Sequence, residues 1–124
     1  MSEKNKNNFY SFIGLARKAG AIAPGEVPAG QSIKRRKARM VLLAEDASAN
    51  TKKKIASILY QSNIPLICFG EKEKYGNALG RTSFSVIAVT EQHFSEKIKE
   101  MIDQYSNNDD TMHGGGFIEQ TKNI

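Results

Sequence analysis

A single cysteine, Cys68, is present in 124 residues, which excludes an internal disulfide and any zinc site built on cysteines. Histidine is nearly as scarce. His93 and His113 are the two present, and neither has a Cys, Asp or Glu at a spacing that suggests a metal site or a nucleophile–base pair. No apolar run approaches the ~18 residues of a membrane span. Residues 1–8 are polar and lack the apolar stretch of a secretory leader. Gly76, Gly80 and the glycine run at 114–116 form no phosphate-binding loop after a strand. These absences lead us to expect a small protein of a reducing compartment, most simply the cytoplasm, with no membrane partner.

Enough apolar material is present for one core: 40% of the chain is hydrophobic, with 6 Phe and 4 Tyr. The length suits one domain. Charge is unevenly spread. Residues 1–60 carry twelve Lys or Arg against four acids, a net of +8, while residues 61–124 carry six against nine, a net of −3. Such asymmetry suits one basic face and a polyanionic partner, or a lysine-rich surface that is merely solvated.

Apolar spacing predicts a helix over 9–19, carried by Phe9, Phe12, Ile13 and Ala16 and closed by Gly20. A short strand over 21–23 meets the Pro24-Gly25 turn, and Pro28 suits the first turn of the helix that follows. Met40 to Ala44 is apolar at every position, as in a strand covered on both faces. Asp46 or Ser48 then caps a helix with Ile55, Ile58 and Leu59 on its core side. A second such strand over 64–70, a short helix over 71–79, a strand over 84–89 and a last helix carrying Phe94, Ile98, Met101, Ile102 and Tyr105 complete the pattern. Helices and strands alternate, so the layers should be helix, sheet, helix. From Ser106 onward the pattern stops and a polar, flexible tail is expected.

Three features invite chemistry. Cys68 lies mid-strand, where a buried thiol is an inert small hydrophobe. Glu45-Asp46 ends the central strand and resembles a magnesium-binding acidic pair, but no acceptor Asp or partner Lys stands at the other strand ends. Lys34, Arg35, Arg36, Lys37 and Arg39 form a compact cation cluster able to meet several phosphates. Lys52, Lys53 and Lys54 open the next helix, but successive positions fan out by ~100° and cannot all face one ligand. Most aromatics occupy core positions, so no base-stacking platform is expected and recognition should be of backbone and shape.

The order of motifs adds a resemblance. Phe12-Ile13-Gly14-Leu15-Ala16-Arg17-Lys18-Ala19-Gly20 leads to Pro24-Gly25-Glu26, then to Lys37-Ala38-Arg39 and Met40-Val41-Leu42-Leu43-Ala44-Glu45-Asp46-Ala47-Ser48. Asn50-Thr51, Lys53-Lys54-Ile55, Ile64-Pro65 and Tyr75-Gly76-Asn77-Ala78-Leu79-Gly80 follow. This series resembles the kink-turn-binding ribosomal protein family (the archaeal L-seven-Ae and L-thirty-e superfamily), and within it the bacterial YlxQ-type branch. The likeness covers about residues 9–105 and leaves a polar extension at 1–8 and the tail at 106–124 outside. It implies an α/β fold, a three-layer α/β/α sandwich with a mixed four-stranded sheet. It also implies a ribonucleoprotein role without catalysis or cofactor: binding RNA kink-turns, sharply bent internal loops with tandem sheared G·A pairs.

Carried over by residue, the family's RNA-contacting turn begins with a glycine, matched by Gly25. Its base-reading Asn-Glu pair falls on Val27 and Pro28, which offer no such hydrogen bonds, although Glu26 stands beside them as an acceptor. The family's next lysine is replaced by Gln31, its arginine is matched by Arg35, and a lysine ahead of the Gly76 helix is matched by Lys72. A loop that covers an extruded base corresponds to Arg81, Thr82, Ser83 and Phe84. With the cation cluster, the expected RNA-binding residues are Gly25, Glu26, Val27, Gln31, Lys34, Arg35, Lys37, Lys72, Arg81, Thr82 and Ser83.

Two readings follow. One is a monomeric, non-catalytic RNA-binding protein for structured ribosomal or messenger-leader RNA, with the ribosome as a candidate location. The other is a protein-interaction module on the same fold, with Val27 and Pro28 in an apolar contact patch. An enzyme using Glu45-Asp46 and a metal ranks behind both.

Overall fold

The computed structural model describes residues 3–108. Of the tail expected over 106–124, residues 106–108 belong to the last helix, and residues 109–124, with His113 and the glycine run, lie outside the described residues. Five helices and four strands alternate: α1 (Glu3–Lys18), β1 (Ile22–Pro24), α2 (Glu26–Lys34), β2 (Met40–Leu43), α3 (Ala49–Leu59), β3 (Leu66–Cys68), α4 (Lys72–Leu79), β4 (Val86–Val89) and α5 (Gln92–Asn108).

Two helices run longer than their apolar spacing. α1 starts ahead of Phe9, and α5 continues past Tyr105 to Asn108. The added turn of α1 contains no Gly or Pro, and Lys6, Asn7 and Asn8 are exposed, so no buried periodicity marks it. β2, β3 and β4 are shorter than the runs that mark them, whereas β1 keeps its expected length but is shifted by one residue to take in Pro24. Pro65, Phe69 and Ser85 extend the pairing only by single hydrogen bonds, Val41 N to Pro65 O, Phe69 N to Leu43 O and Ala44 N to Ser85 O, at 2.8 to 3.0 Å.

The sheet order is β1-β4-β2-β3. β2 and β3 are parallel, whereas β4 is antiparallel to both β1 and β2. Pro24 closes β1, an edge strand, where a missing N–H donor is tolerated. Side chains alternate between two cores. Met40, Leu42, Ile67, Ile87 and Val89 pack against Phe9, Ile13, Ile98 and Ile102. Val41, Leu43, Leu66, Val86 and Ala88 pack against Ala29, Ile33, Ile55 and Leu59. β2 and β4 are buried at every position, which is why they read as unbroken apolar runs. Each fully buried Leu, Ile or Val contributes about 1.5–3 kcal/mol.

An aromatic group seals the first core. Phe9 meets Tyr10, Phe69, Tyr75 and Tyr105 edge-on, and Phe69 stacks on Tyr105 at 5.3 Å. The Tyr75 hydroxyl donates to the Phe69 carbonyl at 2.6 Å. Burial pushes the Tyr105 phenol up to about 12.

Three helices end in the same way. Gly20 (φ 73°) and Gly80 (φ 75°) adopt the left-handed conformation after α1 and α4. Arg36 (φ 61°) does so after α2, with Arg36 N on Ile33 O and Lys37 N on Ser32 O. Arginine pays roughly 1–2 kcal/mol there that glycine would not.

Candidate nucleic-acid interface

Gly25 joins β1 to α2 with φ 107° and ψ 156°, a conformation closed to residues with a Cβ. Its N–H donates to Val86 O at 2.8 Å, fixing the turn to the start of β4. No side chain caps α2. Pro28 has no N–H and Ala29 N bonds to Gly25 O, so among the described residues the Glu26 and Val27 N–H groups have no partner. The starts of α3 and α5 are served differently. Ser48 Oγ accepts from Thr51 N at 3.1 Å, and Glu91 Oε1 accepts from Phe94 N at 2.9 Å. A helix start left with open donors carries partial positive charge and suits a phosphate.

The 81–84 loop lies beside this turn. A Cβ on Gly25 would stand 3.7 Å from the Phe84 ring, and Phe84 N donates to Lys72 O at 3.0 Å. Gly76 lets the loop sit on α4, because a Cβ there would collide with the Thr82 carbonyl and Ser83. Arg81 N bonds to Gly76 O at 2.8 Å, and the Arg81, Thr82 and Ser83 side chains are exposed. Gly25, Lys72 and the loop therefore meet at one end of the sheet.

Along α2, Val27, Gln31, Lys34 and Arg35 are exposed at spacings that place them on one face. Val27 is 70% exposed. Lys37 follows the Arg36 turn, and Arg39 N bonds to Val89 O at 2.7 Å, at the far end of β4 from Gly25. The cation cluster is thus one helix length, ~12 Å, from the turn.

The Glu26 carboxylate does not face this surface as an open acceptor. It takes a hydrogen bond from Thr51 Oγ1 at 2.6 Å and one from Lys54 Nζ at 3.1 Å. The Thr51 bond, then Lys54, hold its pKa below the usual carboxylate range. Glu26 reaches the turn through its N–H, and Lys54 is committed to Glu26 while Lys52 and Lys53 are exposed.

Asp46 differs from expectation as well. Its Oδ1 accepts from Lys72 N at 2.9 Å, so it serves the start of α4, and Ser48 alone caps α3. Cys68 is half-buried, not fully enclosed, and desolvation pushes its thiol up, away from the reactive thiolate. His93 is exposed beside Glu91 at 3.3 Å. Among the described residues no group of three or more His, Cys, Asp or Glu is placed to hold a metal. No described helix is long and apolar enough to cross a membrane.

The fold is an α/β/α sandwich whose sheet is covered on both faces, leaving helix ends and loops exposed. The chain belongs to the ribosomal protein L7Ae/L30e/S12e/Gadd45 family, whose profile matches residues 7–99. It is 32% identical over 95 residues to the RNA-binding protein YlxQ of Bacillus subtilis, covering 77% of this chain and 95% of that one. It is 31% identical over 103 residues to the RNA-binding protein YlxQ of Enterococcus faecium, covering 83% and 99%. A Bacillus halodurans protein of unknown function superposes with a TM-score of 0.69 at 30% identity, covering 77% of this chain and 96% of that one. A Giardia lamblia 15.5kD RNA binding protein gives 0.65 at 18% identity, covering 84% and 89%, a likeness of fold.

Proposed function

We propose that this chain is a non-catalytic RNA-binding protein that docks a bent, folded RNA of the kink-turn class against the start of α2 and the 81–84 loop. The observation that carries this reading is the uncapped start of α2, with two open N–H donors beside Gly25 and next to that loop. The Gln31, Lys34 and Arg35 face and Lys37 hold the flanking phosphates, while Lys72, Arg81, Thr82 and Ser83 close over the opposite side. The names of the Bacillus and Enterococcus relatives support RNA as the partner.

Val27 and Pro28 supply no side-chain hydrogen bonds to bases. A lost bidentate base contact typically costs ~1–3 kcal/mol in protein–DNA complexes. Recognition here rests on shape, backbone N–H groups and phosphate contacts. Ribosomal or messenger-leader RNA, a cytoplasmic location and a monomeric state belong to the same proposal.

A gel-shift series with a kink-turn RNA tests it. Affinity should fall steeply with salt, close to one logarithmic unit of slope per phosphate contact. Reversing Arg35 and Lys37 to Glu together should abolish binding, and unchanged binding refutes the surface. The exposure of Val27 and Pro28 favours a second reading, a protein-interaction module. Partners that survive nuclease treatment during purification would support that alternative.

A further inference from the structure

A second surface lies at the far end of the sheet from Gly25. Here the end of α2 faces the link from α3 to β3 across a cleft of about 410 Å³, within the ~300–1,000 Å³ of small-ligand sites. Ile33, Ile58 and Ile64 give it an apolar floor. Lys34, Arg36, Gln61 and Asn63 are exposed at its edge.

Both non-glycine residues with positive φ among those described, Arg36 (61°) and Gln61 (67°), line this one cleft. Gln61 occupies the third position of a turn closed by Ser62 N on Leu59 O at 2.8 Å, where φ > 0 favours glycine. Two neighbouring turns thus keep long polar side chains where glycine would fit with less strain. Tyr60, next to Gln61 in the chain, is 71% exposed.

Charge identifies the occupant. Residues 27–44 and 47–70, which build both walls, contain no Asp or Glu. Among the described residues Lys34, Arg35, Arg36, Lys37 and Arg39 make no ion pair. Cations to hold phosphates and amides to meet a base edge line the cleft, and the open Tyr60 face adjoins it through Gln61, a set of groups suited to an unpaired nucleotide.

We propose that this cleft binds a single-stranded RNA segment, with one base stacked on Tyr60, the Gln61 and Asn63 amides at its edge, and Lys34 and Arg36 on the flanking phosphates. It rests on the docking reading only in taking RNA as the polyanion. The two surfaces sit at opposite ends of β4, so a strand leaving a docked RNA along α2 would reach this cleft.

Fluorescence anisotropy of an unstructured ten-nucleotide RNA with the full chain tests the site, with a kink-turn duplex lacking single-stranded ends measured in parallel. Tyr60→Ala should weaken oligonucleotide binding about tenfold, the size of one lost stacked base, while Tyr60→Phe binds as the parent. Arg36→Gly should weaken it at least threefold and raise the thermal unfolding midpoint, because the left-handed turn is relieved. The duplex should bind both Tyr60 variants as it binds the parent. Parent-like oligonucleotide binding by Tyr60→Ala overturns the proposal, as does equal displacement by a ten-residue polyglutamate peptide, which would mark an acidic-protein surface. Absent oligonucleotide binding with duplex binding retained removes this cleft alone. The reverse pattern removes the docking reading alone.

Discussion

Gly76 illustrates how one absent methyl group positions a loop. In a helix interior, alanine normally exceeds glycine by ~1 kcal/mol. Here a Cβ would strike the Thr82 carbonyl and Ser83, backbone atoms that cannot rotate aside. Gly76→Ala should therefore destabilise the protein, by ~1–3 kcal/mol, and displace the 81–84 loop. Urea midpoints together with amide chemical shifts of residues 81–84 check both effects. An alanine variant at least as stable as the parent would show that the loop yields freely. The glycine stands out in the sequence as part of the Tyr75-Gly76-Asn77-Ala78-Leu79-Gly80 motif, but its reason does not, because the atoms it avoids belong to the following loop. Asp46 and Glu26 share that opacity. Their partners, Lys72 N and Thr51, lie 26 and 25 residues away, so local capping rules assign them nearer neighbours.

The coupling of α2 to α3 belongs to the next scale. Gly30 brings the helices close, with Ile58 3.7 Å from where its Cβ would be, and Glu26 ties their first turns through Thr51 and Lys54. Because the Glu26 carboxyl is more acidic folded than in its ordinary state, its stabilising effect is full above the unperturbed value of 4.5 and is lost as pH falls below it. Glu26→Gln should lower the urea midpoint at pH 7, and the gap from the parent should close on acidification to pH 3. A gap that persists at pH 3 would mean that charge contributes nothing to the clamp. Element types were legible from period and punctuation: unbroken apolar runs for β2 and β4, glycine stops for α1 and α4. The stop after α2 was not, because Arg36 occupies a conformation that sequence rules reserve for glycine.

The whole molecule is one sheet shared by two cores. Leu42 faces the α1 and α5 side, and Leu43 the α2 and α3 side. Leu42→Ala and Leu43→Ala should each cost about 2–5 kcal/mol, with both cores still unfolding in a single transition. Chemical denaturation followed by far-ultraviolet circular dichroism and by aromatic signals should give coincident curves. Separate curves would mean that the layers melt independently. The sandwich itself was readable from strands apolar at every position, since only helices on both faces can bury them. The cleft opposite Gly25 was not, because its groups come from segments ~25 residues apart and its backbone breaks local preferences.

Tyr60 also changes how the molecule can be watched. The chain has no tryptophan, and its other three tyrosines pack into the aromatic group around Phe9. With 71% of its surface in solvent, Tyr60 is the phenol that dissolved iodide or acrylamide meets first. Collisional quenching of intrinsic emission is therefore weighted toward a single address, supplied without any label.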